Sequence, residues 1–164
     1  MNMEKKFELT DNFIINAFGV KLFQIKCTKS FKYAKEGDLG GYVEKDENLD
    51  QESNAWVYGN AEVSGDARVS GDARVSGNAR VSGNAEIDNN NKHCGFDCFG
   101  SANRHTHAYL TKENKVEITC GCFRGSIEEF EKRVEETHSG TIYEKQYKAI
   151  IDVIKIKFGL TDLI

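Results

Sequence analysis

The chain has 164 residues, 22 Lys and Arg against 26 Asp and Glu, and a formal net charge of −4. That length suits one ordinary domain or two small ones. The mild acidity argues against a surface built to hold nucleic-acid backbone, though not against a small local anion site. Proline is absent while glycine numbers 15, which excludes proline-rich linkers and leaves the glycines to be explained.

From the N-terminus, Met1 to Glu8 shows no apolar signal core. No apolar run approaches the roughly 20 residues a bilayer span needs. Cys27, Cys94, Cys98, Cys120 and Cys122 are odd in number, which reads as reduced thiols in a cytosol. A cytoplasmic protein is expected, in the compartment where it is made.

Residues 1–42 read as an N-terminal β cap. Phe13–Asn16 and Lys21–Cys27 are β-prone, and Ala17-Phe18-Gly19 suggests the turn between them. Gly37, Gly40 and Gly41 mark a loop that leads onward.

Residues 43–91 carry a six-residue repeat. Asn60-Ala-Glu-Val-Ser-Gly65 is followed by Asp66-Ala-Arg-Val-Ser-Gly71 and Asp72-Ala-Arg-Val-Ser-Gly77, then Asn78-Ala-Arg-Val-Ser-Gly83. A short strand and a sharp corner per hexad predict a left-handed parallel β-helix, with Val filling the interior and Ala at the tight corners. Gly59, Gly65, Gly71, Gly77 and Gly83 fall at the corners, where positive φ is needed. Three hexads per coil would stack residues 18 apart. Glu62 then lies over Arg80, Arg68 over Glu86, and Trp56 over Arg74 as a cation–π pair. The three repeat arginines therefore have structural partners and need not form a nucleic-acid stripe. At barely two coils, such a solenoid needs capping by its flanks, by other copies, or both.

Residues 92–164 read as an α+β segment. Ala108–Thr111 and Val116–Thr119 predict a β-hairpin. Ser126 with Glu129 forms a capping box opening a helix that ends near His138-Ser139-Gly140. A last amphipathic helix is expected over about Ile142 to Phe158. The fold class is thus mainly β with a C-terminal α+β part: a hairpin cap, a short left-handed β-helix, a hairpin and two helices.

Several stretches together resemble a family of phage and prophage hypothetical proteins with a hexapeptide-repeat middle. They are Gly37-Asp38-Leu39-Gly40-Gly41-Tyr42-Val43-Glu44, Asn48-Leu49, Asn54 to Gly59, Phe99-Gly100-Ser101 and Cys120-Gly121-Cys122-Phe123-Arg124-Gly125-Ser126. Glu128-Glu129-Phe130, Glu136-Thr137-His138 and Tyr143 with Tyr147 complete the match. The resemblance implies a phage setting, a bacterial host cytoplasm and an oligomer. It carries no settled activity.

Chemistry concentrates late in the chain. Ser101, Asn103, Arg104, His105 and Thr106, with Arg124 from beyond the Cys-Gly-Cys turn, suit a phosphate or nucleotide. Arg offers a bidentate fork and hydroxyls donate to oxygens. An ordinary polar loop is the competing reading. His93, Cys94, Cys98, His105, His107, Cys120 and Cys122 are potential zinc ligands, but their spacing lacks paired C-x2-C. No metal, cofactor or catalytic residue is assigned. The charged run Glu128 to Glu136, with Lys132 and Arg133, reads as a solvated helix face. The expected function is a non-enzymatic, phage-encoded counter-defence protein that sequesters a small anionic, nucleotide-like signal or blocks a host defence protein. The alternatives are a structural oligomeric assembly protein and an acyltransferase-like β-helix enzyme using His105 or His107 as base. A homo-oligomer, a trimer first, is the expected assembly, with no membrane or nucleic-acid partner.

Overall fold

The computed structural model describes residues 4–161. Strands β1 (Phe7–Ile15) and β2 (Lys21–Cys27) form an antiparallel hairpin. Its turn is set by Asn16, whose Oδ1 accepts from the amides of Phe18 and Val20, both at 2.9 Å. β2 pairs antiparallel with β3 (Leu39–Val43).

The repeat supplies six two-residue strands: β4 (Trp56–Val57), β5 (Glu62–Val63), β6 (Arg68–Val69), β7 (Arg74–Val75), β8 (Arg80–Val81) and β9 (Glu86–Ile87). Beyond it lie β10 (His93–Phe99), β11 (Arg104–Leu110), β12 (Val116–Cys120) and β13 (Phe123–Ser126). These four form an antiparallel sheet in sequence order. Helices α1 (Ile127–His138) and α2 (Ile142–Lys157) close the chain. α1 starts on the expected box, Ser126 Oγ accepting from the Glu129 amide and Glu129 Oε2 from the Ser126 amide.

This arrangement corrects the expected left-handed parallel β-helix. Among the described residues, the thirteen strands lie in four separate sheets. The largest, β1-β2-β3-β5-β8, is mixed, the second is antiparallel, and only β4-β7 and β6-β9 are purely parallel pairs. The physical reason is strand length. Each hexad commits only two residues to a ladder, whereas the flanking strands run to nine and seven residues. The longer strands therefore dominate the two larger sheets, and the C-terminal hairpin grows into four strands.

Within the repeat, residues 18 apart do pair: Glu62 with Arg80, Trp56 with Arg74, and Arg68 with Glu86. The side chains follow this register only in part. Arg80 sits 3.7 Å from Glu62. Arg68 instead reaches Asp50 at 3.9 Å. Trp56 turns inward and is 1% exposed, so Arg74 lies over the Tyr33 ring at 5.1 Å instead. A flat indole gains more from burial than from a solvated cation.

Val43, Val57, Val63, Val69, Val75, Val81 and Ile87 are fully buried, with Ala61, Ala67, Ala73 and Ala79 beside them. Phe7, Ile25 and Cys27 of the hairpin and Tyr109 of β11 join the same cluster. The flanks thus cover both ends of the repeat. At one end Lys6 Nζ donates to the carbonyls of Ser53 and Ala55 at 2.8 and 2.7 Å. At the other, Thr119 Oγ1 donates to the Arg80 carbonyl at 2.7 Å, and Arg80 Nη1 to the Gly121 carbonyl at 2.6 Å. A second cluster lies between the C-terminal sheet and the helices, around Ile118, Phe130, Ile150 and Ile154.

The corner glycines separate two kinds of cost. Gly59 has φ +57°, and the nearest atom to the place a methyl would take is 3.8 Å away. Gly71 has φ +62°, and a methyl there would overlap the Asp88 carbonyl. Gly59→Ala should cost about 1–2 kcal/mol for the left-handed backbone alone. Gly71→Ala should cost clearly more, which urea denaturation of the two variants will show as unequal midpoint shifts.

Candidate functional site

The segment 101–107 begins in a turn and enters β11, where successive side chains alternate between faces. That alternation divides the candidates. Thr106 and Ala108 face the helices: Thr106 Oγ1 donates to Cys120 Sγ at 3.3 Å, and Ala108 belongs to the helix-side cluster. Tyr109 joins the repeat's core from the other face. His105 and His107 share that face, linked Nε2 to Nδ1 at 3.0 Å.

On the helix side a cleft of about 190 Å³ opens between the β11–β12 edge and α1. Its floor is Phe130, Val134, Cys120 and Tyr147. Tyr147 stacks on His138, with ring centroids 5.5 Å apart, and meets Phe130 edge-on at 5.5 Å. Its hydroxyl lies 3.8 Å from Cys120 Sγ. Burial pushes the Tyr147 phenol up to about 12, Cys120 adds to this, and Arg104 opposes it. Gly100 makes room for that ring, since a side chain there would overlap the Tyr147 hydroxyl.

Arg104, Arg133, Ser101, Thr137 and His138 complete the cleft wall. Arg104 lies across Gly121, which sits at φ +58° and whose missing side chain leaves space for the guanidinium. Arg133 lies 5.6 Å over the Phe123 ring. Among the described residues, neither guanidinium has a carboxylate within 4.0 Å. Two unpaired cations beside an aromatic, half-enclosed floor can hold an anion that carries a flat apolar body.

Of the six residues singled out by sequence, Ser101 and Arg104 line this cleft. Asn103 is exposed in the turn at φ +49°. Thr106 is fully buried against Cys120. His105 borders a second depression with Arg80 and Glu62, which Arg104 also reaches. Arg124 is engaged elsewhere, its Nε donating to Glu117 Oε1 at 2.7 Å, the atom that also accepts from the Tyr109 hydroxyl at 2.7 Å. Sequence reasoning missed Arg133, Thr137, His138 and Tyr147. The available signal was their helical spacing: Phe130, Arg133, Val134 and Thr137 fall at i, i+3, i+4 and i+7.

The cysteines are all free thiols. Among the described residues, no group of three or more His, Cys, Asp and Glu is arranged to hold a metal. The three clustered histidines bond edge to edge instead. His107 uses Nε2 toward His93 Nδ1 at 2.9 Å and Nδ1 toward His105 Nε2, so their lone pairs do not converge on one point.

Burial is the main influence on these rings. It holds His107 well below its usual value, with the neighbouring histidines adding to the effect. It brings His93 down to about 4, assisted by the Lys157 ammonium and opposed by a backbone hydrogen bond to Arg74. Unfolded, both imidazoles take up a proton near 6.5. Between about 6.5 and 4 the unfolded chain therefore binds more protons, and stability must fall as the pH drops through that window. Thermal melts at stepped pH should show the decline, and His93→Gln should make it shallower.

The fold and cleft define a mixed β protein with two C-terminal helices and a cationic, aromatic-floored pocket. No protein-family model matches the chain, and no curated protein matches it. Among the described residues, no helix is long and apolar enough to cross a membrane.

Proposed function

We propose that the protein is a non-enzymatic binding protein for a small anionic, nucleotide-like ligand, seated between Arg104 and Arg133. The observation that carries this reading is the pair of guanidiniums, without carboxylate partners among the described residues, beside the Tyr147, Phe130 and His138 rings. A phosphate would take the charged end, with Ser101 and Thr137 hydroxyls available to it, and a base would lie on the aromatic floor. In the phage setting that the sequence resemblance implies, sequestering such a signal would serve counter-defence.

Native mass spectrometry of the protein made in bacterial cells, followed by calorimetric titration with adenosine monophosphate and with inorganic phosphate, tests this. A co-purifying nucleotide mass, or adenosine monophosphate binding in the micromolar range or tighter and more strongly than phosphate, is the expected result. Absence of both a bound mass and any heat at millimolar nucleotide would overturn it.

A further inference from the structure

A continuous hydrogen-bonded chain crosses the repeat-facing side of the C-terminal sheet. Its links are Asn90 Oδ1 to His93 Nε2 at 3.3 Å, His93 Nδ1 to His107 Nε2 at 2.9 Å, His107 Nδ1 to His105 Nε2 at 3.0 Å, and His105 Nδ1 to Asp97 Oδ1 at 2.5 Å. Gly95, paired with His107 across the β10–β11 ladder, makes the packing feasible: a side chain there would press on both the His105 and His107 rings.

Both ends of this chain are acceptors. Asp97 offers a carboxylate oxygen. The Asn90 atom must be its oxygen, because it also accepts the Arg74 backbone N–H at 2.9 Å. Four hydrogen bonds between two terminal acceptors require four protons on the rings. Three neutral imidazoles carry only three. The chain is therefore complete only when it holds one proton beyond the neutral rings and ionised carboxylate.

We propose that Asn90, His93, His107, His105 and Asp97 form a proton wire, in which one excess proton is held beside Asp97 and its loss is expressed at the Asn90 end. In the loaded state His105 carries both N–H groups, facing Asp97 and His107. His107 and His93 each carry Nε2–H, and His93 donates to Asn90. Burial disfavours charge on His107 and His93, which leaves the charge on the ring beside the carboxylate. On unloading, the His105 Nε2 proton passes to His107 Nδ1, the His107 Nε2 proton passes to His93 Nδ1, and the His93 Nε2 proton leaves to water. No ring turns. The charge-assisted bond to Asp97 survives, and the longest link, His93 to Asn90, breaks.

The surrounding charges are few. From α2, Lys157 repels a proton at His93. On β10, the neighbouring Cys94 thiol is raised by burial and stays neutral. Arg80, Arg104 and Glu62 line the depression that His105 borders. The wire joins that depression to the turn at Asn90, where the C-terminal sheet leaves the repeat, so proton occupancy can be read at one place and felt at another.

Nitrogen-15 NMR of the histidine-labelled full chain tests this between pH 5.5 and 8.5. His107 and His93 should exchange Nε2–H for Nδ1–H together, with a common midpoint, while remaining neutral, as the hydrogen-bonded chain gives up its excess proton. Asp97→Asn places an amide donor against His105 Nδ1. Three neutral rings then complete the chain, so the tautomer exchange should vanish with the fold retained. Fixed wild-type tautomers across this range, separate midpoints for the rings, or an unchanged exchange in Asp97→Asn would each overturn the proposal. If that variant fails to fold, the wild-type tautomer series alone decides.

Discussion

Trp56→Ala will cost the protein about 3–5 kcal/mol of stability, the range for truncating a large buried aromatic. The indole is 1% exposed and sits at the junction between the N-terminal hairpin and the repeat. It meets Phe7 edge-on at 6.4 Å and Phe31 at 5.4 Å. It also pairs with Arg74 through the parallel β4–β7 ladder, so a void here is bounded by backbone that cannot collapse freely. With a small-protein denaturant slope, the urea midpoint should fall on the order of 1–3 M. Amide exchange in β1 and β2 should accelerate more than exchange in β11 and β12, because the second core around Ile118 and Ile154 does not include the indole. A midpoint shift of a few tenths molar would mean that the hairpin does not depend on this contact.

Arg104→Ala will weaken the proposed binding of an anionic nucleotide by about 10- to 150-fold, the effect of losing a charged hydrogen bond worth roughly 1.5–3 kcal/mol. Arg133→Ala should do the same by a smaller factor, since the Arg133 charge is already engaged in part by the Phe123 ring. Arg104→Lys keeps the charge without the fork and should fall between wild type and alanine. Arg124→Ala should leave affinity unchanged, because Arg124 is held by Glu117 on the far side of the sheet. Titration calorimetry on the four variants checks the order. Equal losses for Arg104→Ala and Arg124→Ala would instead restore the grouping that sequence proximity suggests.

Much of the local structure is legible from residues alone. Ala17-Phe18-Gly19 marks the first turn, where glycine takes positive φ, and Ser126 with Glu129 marks the start of α1, because those side chains bond to backbone within a few positions. The candidate site is legible only in part. Ser101 and Arg104 reach the cleft, but Thr106 and His105 lie on opposite faces of one strand, and a run of adjacent polar residues does not show which face each will take until the pairing is known. In the sequence, Arg133 reads as one more charge on a solvated helix. Its role depends on how α1 packs over Phe123, which no spacing within the helix encodes.

By itself the sequence determined the six-residue register, the positive-φ glycine corners and the 18-residue pairing of the valines, since each depends on interactions repeated at short fixed intervals. The tertiary structure decided the architecture. Two-residue strands are too short to impose one sheet, so the longer flanking strands set the two larger sheets and the repeat pairs with itself only through three short parallel ladders. It also decided which rings would meet. His93 and His107 stand 14 positions apart in the chain, and only the antiparallel pairing of β10 with β11 across Gly95 aligns them into one hydrogen-bonded line.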